Sequence, residues 1–309
     1  NVIGKIYAGI ADDMLTTTIM ATTAPKYLCP AMNTEMYNNP ITQRNLEGLR
    51  SLGYHIMDPA EGWLACGITG VGRLPEPEAI VDWLEAKMCS TNELEGTTIL
   101  VTAGGTQESI DPVRYIGNRS SGKMGYAIAE QAAHMGAKVI LVSAPTSLPI
   151  PSGVDFISVD SAVSMQEVVE ARYNDVNVVI MAAAVSDFRV LHKAEQKIKK
   201  MESMTIELVK NPDILQGLGS KKSHQILVGF AAETEHVIKY GQDKVAKKNL
   251  DMLVANDVSK SNAGFNVDTN EGYFLYPDKE PKEMPNMKKS DLARHILREV
   301  IDLVANKHS

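Results

Sequence analysis

From Thr98 onward, short apolar runs alternate with amphipathic segments, and this pattern constrains the fold more than anything else in the chain. Residues 98–102 (TILVT), 138–143 (KVILVS) and 177–182 (NVVIMA) are largely β-branched and apolar. Runs of that kind suit strands covered on both faces, and strands separated by helices pair in parallel. The periodicity predicts further strands over 155–159, 226–231 and 251–255. It predicts helices over about 122–135, 161–173, 212–220 and 235–248, a hairpin near 265–276, and a C-terminal helix from Ser290. The expected architecture is α/β, a Rossmann-like domain with a mostly parallel sheet. Ligands of such sheets bind beyond the carboxyl ends of the strands, so the loops after Thr102, Ala182 and Phe230 should face one crevice.

The segment before Thr97 reads differently. Ile3, Ile6, Ile10, Leu15 and Ile19 predict one helix over 2–22. Short strands follow at 27–29 and 55–57, with a helix at about 40–52 entered through Pro40. A Gly-rich loop, EGWLACGITGVGRLPEP, leads to a helix at about 77–88. The polar stretch from Cys89 to Gly96 reads as a junction. The expected division is residues 1–90, a linker at 91–96, and a second domain over 97–309.

Composition excludes several classes of function. The 309 residues carry a net charge of −7 with no basic arm, which argues against nucleic-acid binding. Anionic ligands must be held by local lysines and backbone N–H groups. Cys29, Cys66 and Cys89 make neither a disulfide framework nor a CxxC zinc pair, which fits a reducing cytoplasm. No apolar run reaches membrane-spanning length, and the first residues lack a signal-peptide pattern.

Several second-domain segments suit phosphate chemistry. In RYIGNRSSGKMGYAIA, Gly117, Gly122 and Gly125 allow tight turns and close backbone approach, and a helix starting near Gly122 offers N–H groups to an anion. Taken alone, these glycines fit a ligand-free turn equally well. In AAAVSDF, small residues let a flat ring approach the backbone, and Asp187 could hold a metal on a triphosphate; a lone aspartate there is more commonly a cap. Lys193, Lys197, Lys199 and Lys200 lie on one loop that could close over phosphates. Lys244 and Lys248 share a helix face. Solvated charge is the default reading of both lysine groups. Lys210-Asn211-Pro212-Asp213 reads as a helix start with Pro212 in its first position.

Taken in order, VTAGGTQESIDPVRYIGNRSSGKMG, AAAVSDF, KIKK, KNPDIL, VGFAAET, KKNLDMLVANDV and GFNVDTN resemble phosphopantothenate–cysteine ligases, from about Gly96 to Val304. The resemblance implies coenzyme A synthesis: CTP and Mg²⁺ convert 4'-phosphopantothenate to an acyl-cytidylate, and cysteine then displaces CMP. It implies that Asn118 acts on the acyl-cytidylate and that Lys197 is needed to form it. It places Ala183, Ala184 and Phe230 around the cytosine, Asp187 at the metal and triphosphate, and Lys244 and Lys248 on the phosphate side.

The first domain carries PAMNTEMY (30–37) and ACGITGVGR (65–73), in the order found in flavin-dependent phosphopantothenoylcysteine decarboxylases. The resemblance implies a partial flavodoxin-like domain. It implies that Asn33, with Met36 of the same motif, binds the substrate, and that Cys66 protonates the enethiolate left by decarboxylation. FMN would first oxidise the thiol end and later return hydride. The family's opening strand, flavin-phosphate loop and catalytic histidine lie upstream of the segment that Asn1 starts. The expectation is therefore a piece of a longer bifunctional protein whose flavin half binds FMN poorly alone. Ligase dimers and flavin-domain trimers are expected of the full form. A non-catalytic subunit is the alternative, opposed by the intact Asn118 and Lys197. An NAD(P)-dependent oxidoreductase is opposed by the absence of GxGxxG.

Overall fold

The computed structural model describes residues 2–64, 67, 69–89, 91–200, 202–233, 235–257 and 269–307. The chain forms two compact units, residues 1–89 and 90–309.

In the first unit, the single helix expected over 2–22 is two helices, Val2–Ala8 and Met14–Ala21. The break follows from Asp13, which accepts from Thr16 N–H at 2.8 Å while Thr16 Oγ1 accepts from Asp13 N–H at 3.2 Å. That reciprocal cap starts a new helix wherever it occurs. Helix Pro40–Ser51 follows its proline as expected, buries Leu46 and Leu49, and packs against the first helix, which buries Ile6. Tyr27–Leu28 and His55–Ile56 pair in parallel. The predicted Gly-rich loop instead contains an antiparallel pair, Ala60–Trp63 with Thr69–Arg73. Its glycines carry no apolar side chains, so the two-residue alternation of a strand is invisible there. The short helix Thr34–Asn38, capped by Asn33, was also outside the expected elements.

The second unit is built on one eight-stranded sheet. Its strands are β1 (Thr98–Ala103), β2 (Lys138–Ser143), β3 (Val154–Ser158), β4 (Val178–Met181), β5 (Ile226–Glu233), β6 (Met252–Asp257), β7 (Thr269–Leu275) and β8 (Lys282–Lys288). They lie in the order 3-2-1-4-5-6-7-8. Strands β3 to β6 across the sheet are parallel, and β7 and β8 close the far edge antiparallel. The expected α/β class with a mostly parallel sheet is thus the observed one. Of the hairpin expected near 265–276, residues 265–268 lie outside the described residues; the described hairpin is β7–β8, with its bend at Pro277-Asp278-Lys279. Pro285 is accommodated because β8 is an edge strand.

Helices α1 (Lys123–His134), α2 (Ala162–Arg172), α3 (Ile214–Ser220), α4 (Val237–Lys247) and α5 (Lys289–Lys307) cover the sheet. Alternate strand residues feed two cores. Ile99, Val101, Val178, Ile180 and Val228 pack with Ile128 and Ala132 of α1 and with Leu292 and Ile296 of α5. Leu100, Val179 and Leu227 pack on the other face with Met165 of α2, Leu218 of α3 and Val245 of α4. This division is the two-residue strand period acting on a sheet buried from both sides. Residues 91–96, read as a linker, fold against the second unit: Leu94 is in its core and bonds through its N–H to Met135 O at 2.9 Å. Two short antiparallel pairs had no periodic signal: Gln107–Ser109 with Tyr115–Gly117, and Phe188–Val190 with Leu208–Lys210.

Candidate active site

Strand order reverses between β1 and β4, the position where the loops that follow the two strands part and leave a crevice. The backbone beyond the two strands stays joined. Ala184 N–H donates to Gly104 O at 2.8 Å, Thr106 N–H to Ala184 O at 3.3 Å, and Ser186 N–H to Thr106 Oγ1 at 2.9 Å. These bonds fix Ala182 to Asp187 as one wall of a cleft of about 550 Å³. Asn118, Gly122, Lys123, Phe230 and Lys244 line the same cleft.

Gly122 sits at φ 76° immediately before α1, in the left-handed region where a side chain is strained. No side chain caps α1, unlike α2 and α3, which Ser161 and Asp213 cap. The start of this helix, Gly122 to Met124, lines the cleft, and a helix N-terminus is the kind of element that receives an anion. Gly125 lets α1 lie directly on β1, because a Cβ there would come within 2.6 Å of Ala103 Cβ and 2.7 Å of Thr102 O.

Asn118 follows the strand Tyr115–Gly117, and its Nδ2 donates to Ala184 O at 3.4 Å and Val185 O at 3.3 Å. These are long bonds from an exposed side chain, so the amide can be recruited by a ligand at small cost. Asp187 is exposed at the rim, while its backbone O accepts from Asn211 N–H at 2.8 Å. Asn211 is buried and donates through Nδ2 to Ser186 O at 2.8 Å. This corrects the reading of residues 210–213: the helix starts at Ile214 with Asp213 as its cap, and Asn211 and Pro212 belong to the wall that carries Asp187.

The cleft gathers Asn118, Ala183, Ala184, Asp187, Phe230 and Lys244 from four separate stretches of chain. Lys197 and Lys248 are not among its described lining residues. Lys197 is exposed on the 191–200 loop. Lys248 instead bonds Asp213, Nζ to Oδ2 at 2.9 Å. Burial opposes the Asp213 charge, but the bonds from Lys248 and from Gln216 N–H outweigh it and hold the carboxyl below its usual range. An unfolded aspartate titrates near ~4. The stabilisation is therefore complete above that pH and is lost as pH falls through the lower folded value. Asp213→Asn keeps a cap acceptor and loses the charge. In urea titrations between about pH 5 and pH 2, it is expected to lose less stability on acidification than the parent.

Sequence reasoning missed three lining residues, Asn256, Asn270 and Lys289. The Oδ1 atoms of both asparagines are buried without a hydrogen-bond partner among the described residues. Asn256 lies near the carboxyl end of β6, where the rule used for Thr102 and Phe230 could have found it. Asn270 and Lys289 come from antiparallel β7 and the start of α5, which that rule does not cover.

In the first unit, Asn33 Oδ1 accepts from Glu35 N–H at 2.8 Å as the helix cap, and Met36 is 56 % exposed. Met32 N–H donates to Gly72 O at 2.9 Å, which ties the PAMN segment to the Thr69–Arg73 strand. Cys66 lies outside the described residues.

An open parallel sheet with a cleft at its switch point is the architecture of an α/β enzyme domain that binds its ligand beyond the strand ends. Residues 94–304 match the family described as DNA/pantothenate metabolism flavoprotein C-terminal domain, and residues 1–89 match the flavoprotein family. The Coenzyme A biosynthesis bifunctional protein CoaBC of Bacillus subtilis (strain 168) is 49% identical over 307 residues, covering 98% of this chain and 76% of that protein. Its counterpart in Escherichia coli (strain K12) is 44% identical over 306 residues, covering 97% and 75%. Among solved structures, the C-terminal domain of a CoaBC protein superposes with a TM-score of 0.61 at 43% identity, covering 70% of this chain and all of that one. A DNA/pantothenate metabolism flavoprotein from Streptococcus pneumoniae shares the fold, with a TM-score of 0.58 at 23% identity over 66% of this chain and 98% of that one.

The chain belongs to the bifunctional coenzyme A biosynthesis family, with residues 94–304 as its ligase domain and residues 1–89 in its flavin-dependent decarboxylase domain. Among the described residues, no helix is long and apolar enough to cross a membrane.

Proposed function

We propose that the second unit couples 4'-phosphopantothenate to cysteine with CTP, through an acyl-cytidylate, in the cytoplasm. The observation that carries this reading is the single cleft holding the uncapped α1 N-terminus, Asn118, Ala183, Ala184 and Asp187. The substrate carboxylate attacks the α-phosphorus of CTP and pyrophosphate leaves. The amine of cysteine then attacks the acyl carbon, CMP leaves with the C–O bonding pair, and the nitrogen loses a proton. Activation is required because a carboxylate is a poor electrophile, whereas its mixed anhydride carries a good leaving group. Backbone N–H groups of α1 receive phosphate oxygens, and Lys244 adds charge. Ala183, Ala184 and Phe230 flank the base.

Mg²⁺ fits this cleft as a companion of the nucleotide. No group of three or more potential metal-ligating side chains exists among the described residues, and Asp187 is the one carboxylate among the described lining residues. Mg²⁺ is commonly held by one or two carboxylates plus substrate phosphates. Asp187 would hold it, where it would neutralise phosphate charge.

In the first unit we read Asn33 and Met36 as substrate-binding and Cys66 as the proton donor of a decarboxylase that uses FMN. The helix N-termini at Met14, Thr34 and Pro40 are already closed by the side chains of Asp13, Asn33 and Asn39. These three therefore do not provide a flavin-phosphate cradle. Self-association, as a dimer through the ligase domain and a trimer through the flavin domain, is part of the same proposal.

The test is pyrophosphate release from phosphopantothenate, cysteine and Mg²⁺ with CTP or ATP. Release with CTP is expected, and none with either nucleotide would refute the ligase reading. Asn118→Asp removes the amide donors and adds a charge beside the acyl-phosphate. It is expected to keep a single turnover of pyrophosphate while product formation falls by about 10²-fold, with acyl-cytidylate accumulating on rapid quench. An intermediate that never builds up would contradict the role of Asn118.

A further inference from the structure

One buried carboxylate joins the two stretches of chain that carry Asn118 and Lys197. Asp111 lies in the turn between the strands Gln107–Ser109 and Tyr115–Gly117, directly upstream of Asn118. Its side chain is fully buried. Oδ1 accepts from Val113 N–H and Arg114 N–H, both at 2.8 Å, which fixes the turn. Oδ2 accepts from Ile198 N–H at 3.1 Å, across 87 residues of sequence. Arg114 completes the clasp: its Nη2 donates to Ile198 O at 2.7 Å, and its Nε lies 3.6 Å from Asp111 Oδ2. A second anchor lies three residues before Lys197, where Ala194 N–H donates to Ile110 O at 2.9 Å. Lys197 thus sits in a short span pinned at both ends to residues 110–114.

An exposed, lysine-rich segment has little packing of its own to hold it, so a bond from a fully buried charged group is out of proportion to a loop that merely connects strands. A buried carboxylate is tolerated only when its oxygens are filled, and here backbone N–H groups of two separate segments fill them. Burial opposes the charge of Asp111, but those N–H bonds and the Arg114 guanidinium win and hold its carboxyl below the usual range. The carboxylate is therefore ionised, and it has acceptor capacity only.

We propose that Asp111 is a positioning residue that sets the Lys197 loop against the Asn118 turn, so that both side chains address the same cleft. The inference rests on the reading of Lys197 given above. An asparagine at 111 is nearly the same size, but it must turn an NH₂ group towards one set of donors, either the turn's or the loop's. One side of the clasp is then lost while the volume is conserved.

The experiment compares the full chain with its Asp111→Asn variant by hydrogen exchange and by pyrophosphate-release kinetics with CTP. Backbone amides over 194–200 are expected to exchange at least about 10-fold faster, with the amides of β1 and β4 unchanged. The kcat for pyrophosphate release is expected to fall by about 10²-fold with the KM for CTP changed less than about 3-fold, the pattern of a displaced transition-state group. Unchanged loop exchange, or faster exchange with unaltered kcat, overturns the proposal. If Asp111→Asn loses protection across the whole sheet, Ile198→Pro decides instead. It removes the loop's N–H to Asp111 and leaves the Asp111 turn intact, and the same two readouts are expected to move. Lys197→Gln separates this inference from the reading beneath it. If that variant keeps its pyrophosphate release, the role of Lys197 fails, while the exchange result still decides whether Asp111 holds the loop.

Discussion

Lys197→Gln is expected to slow pyrophosphate release by about 10²–10³-fold while phosphopantothenate and CTP still bind. Glutamine keeps most of the length and a donor but removes the charge. Attack on the α-phosphorus concentrates negative charge on its equatorial oxygens, and a cation brought there stabilises the transition state more than the ground state. Lys197 stands on an exposed loop outside the described lining of the cleft. On the proposed reading, it would contribute only when its side chain swings in over bound nucleotide. That predicts a loss in kcat with little change in KM, read by steady-state release at saturating CTP. Wild-type release from the variant would move the function to another cation, with Lys244 in the cleft first in line.

The second large effect concerns the frame. Ile180→Ala is expected to cost about 2–5 kcal/mol, a large share of the ~5–15 kcal/mol that holds an ordinary domain together. Ile180 is fully buried in β4, paired with Val101 of β1 on one side and Val228 of β5 on the other. Its truncation leaves a cavity beneath α1 and α5 that a close-packed sheet cannot collapse around. The melting midpoint should fall on the order of 10 °C, measured by circular dichroism on the full chain. Because β4 runs directly into Ala182–Asp187, nucleotide binding should also weaken well below the melting midpoint. A midpoint within about 2 °C of the parent would show that the site relaxes freely.

The buried strands were legible because β-branched apolar runs leave a signal that does not depend on distant residues. TILVT, KVILVS and NVVIMA fall on β1, β2 and β4. The carboxyl-end rule likewise pointed to the chain beyond Thr102, Ala182 and Phe230; residues 118–122, 182–187 and 230–232 meet at one cleft, although 230–232 are still within β5. The failures share a cause. The Ala60–Trp63 and Thr69–Arg73 pair is written in glycine, and the helix break at Asp13 is written in one capping contact that an apolar repeat overlooks. Asn270 and Lys289 reach the cleft from parts of the chain whose proximity depends on how the sheet edge folds back.

By itself, the sequence determined the α/β class and the family, because periodicity and ordered motifs are local properties of the chain. Only the tertiary structure decided which charged groups work together. It placed Lys244 in the cleft and gave Lys248 to Asp213. It also tied the Lys197 loop to the Asn118 turn through Asp111, a bond across 87 residues. Such pairings depend on distances across the fold, where charge interactions act, and spacing along the chain does not encode them.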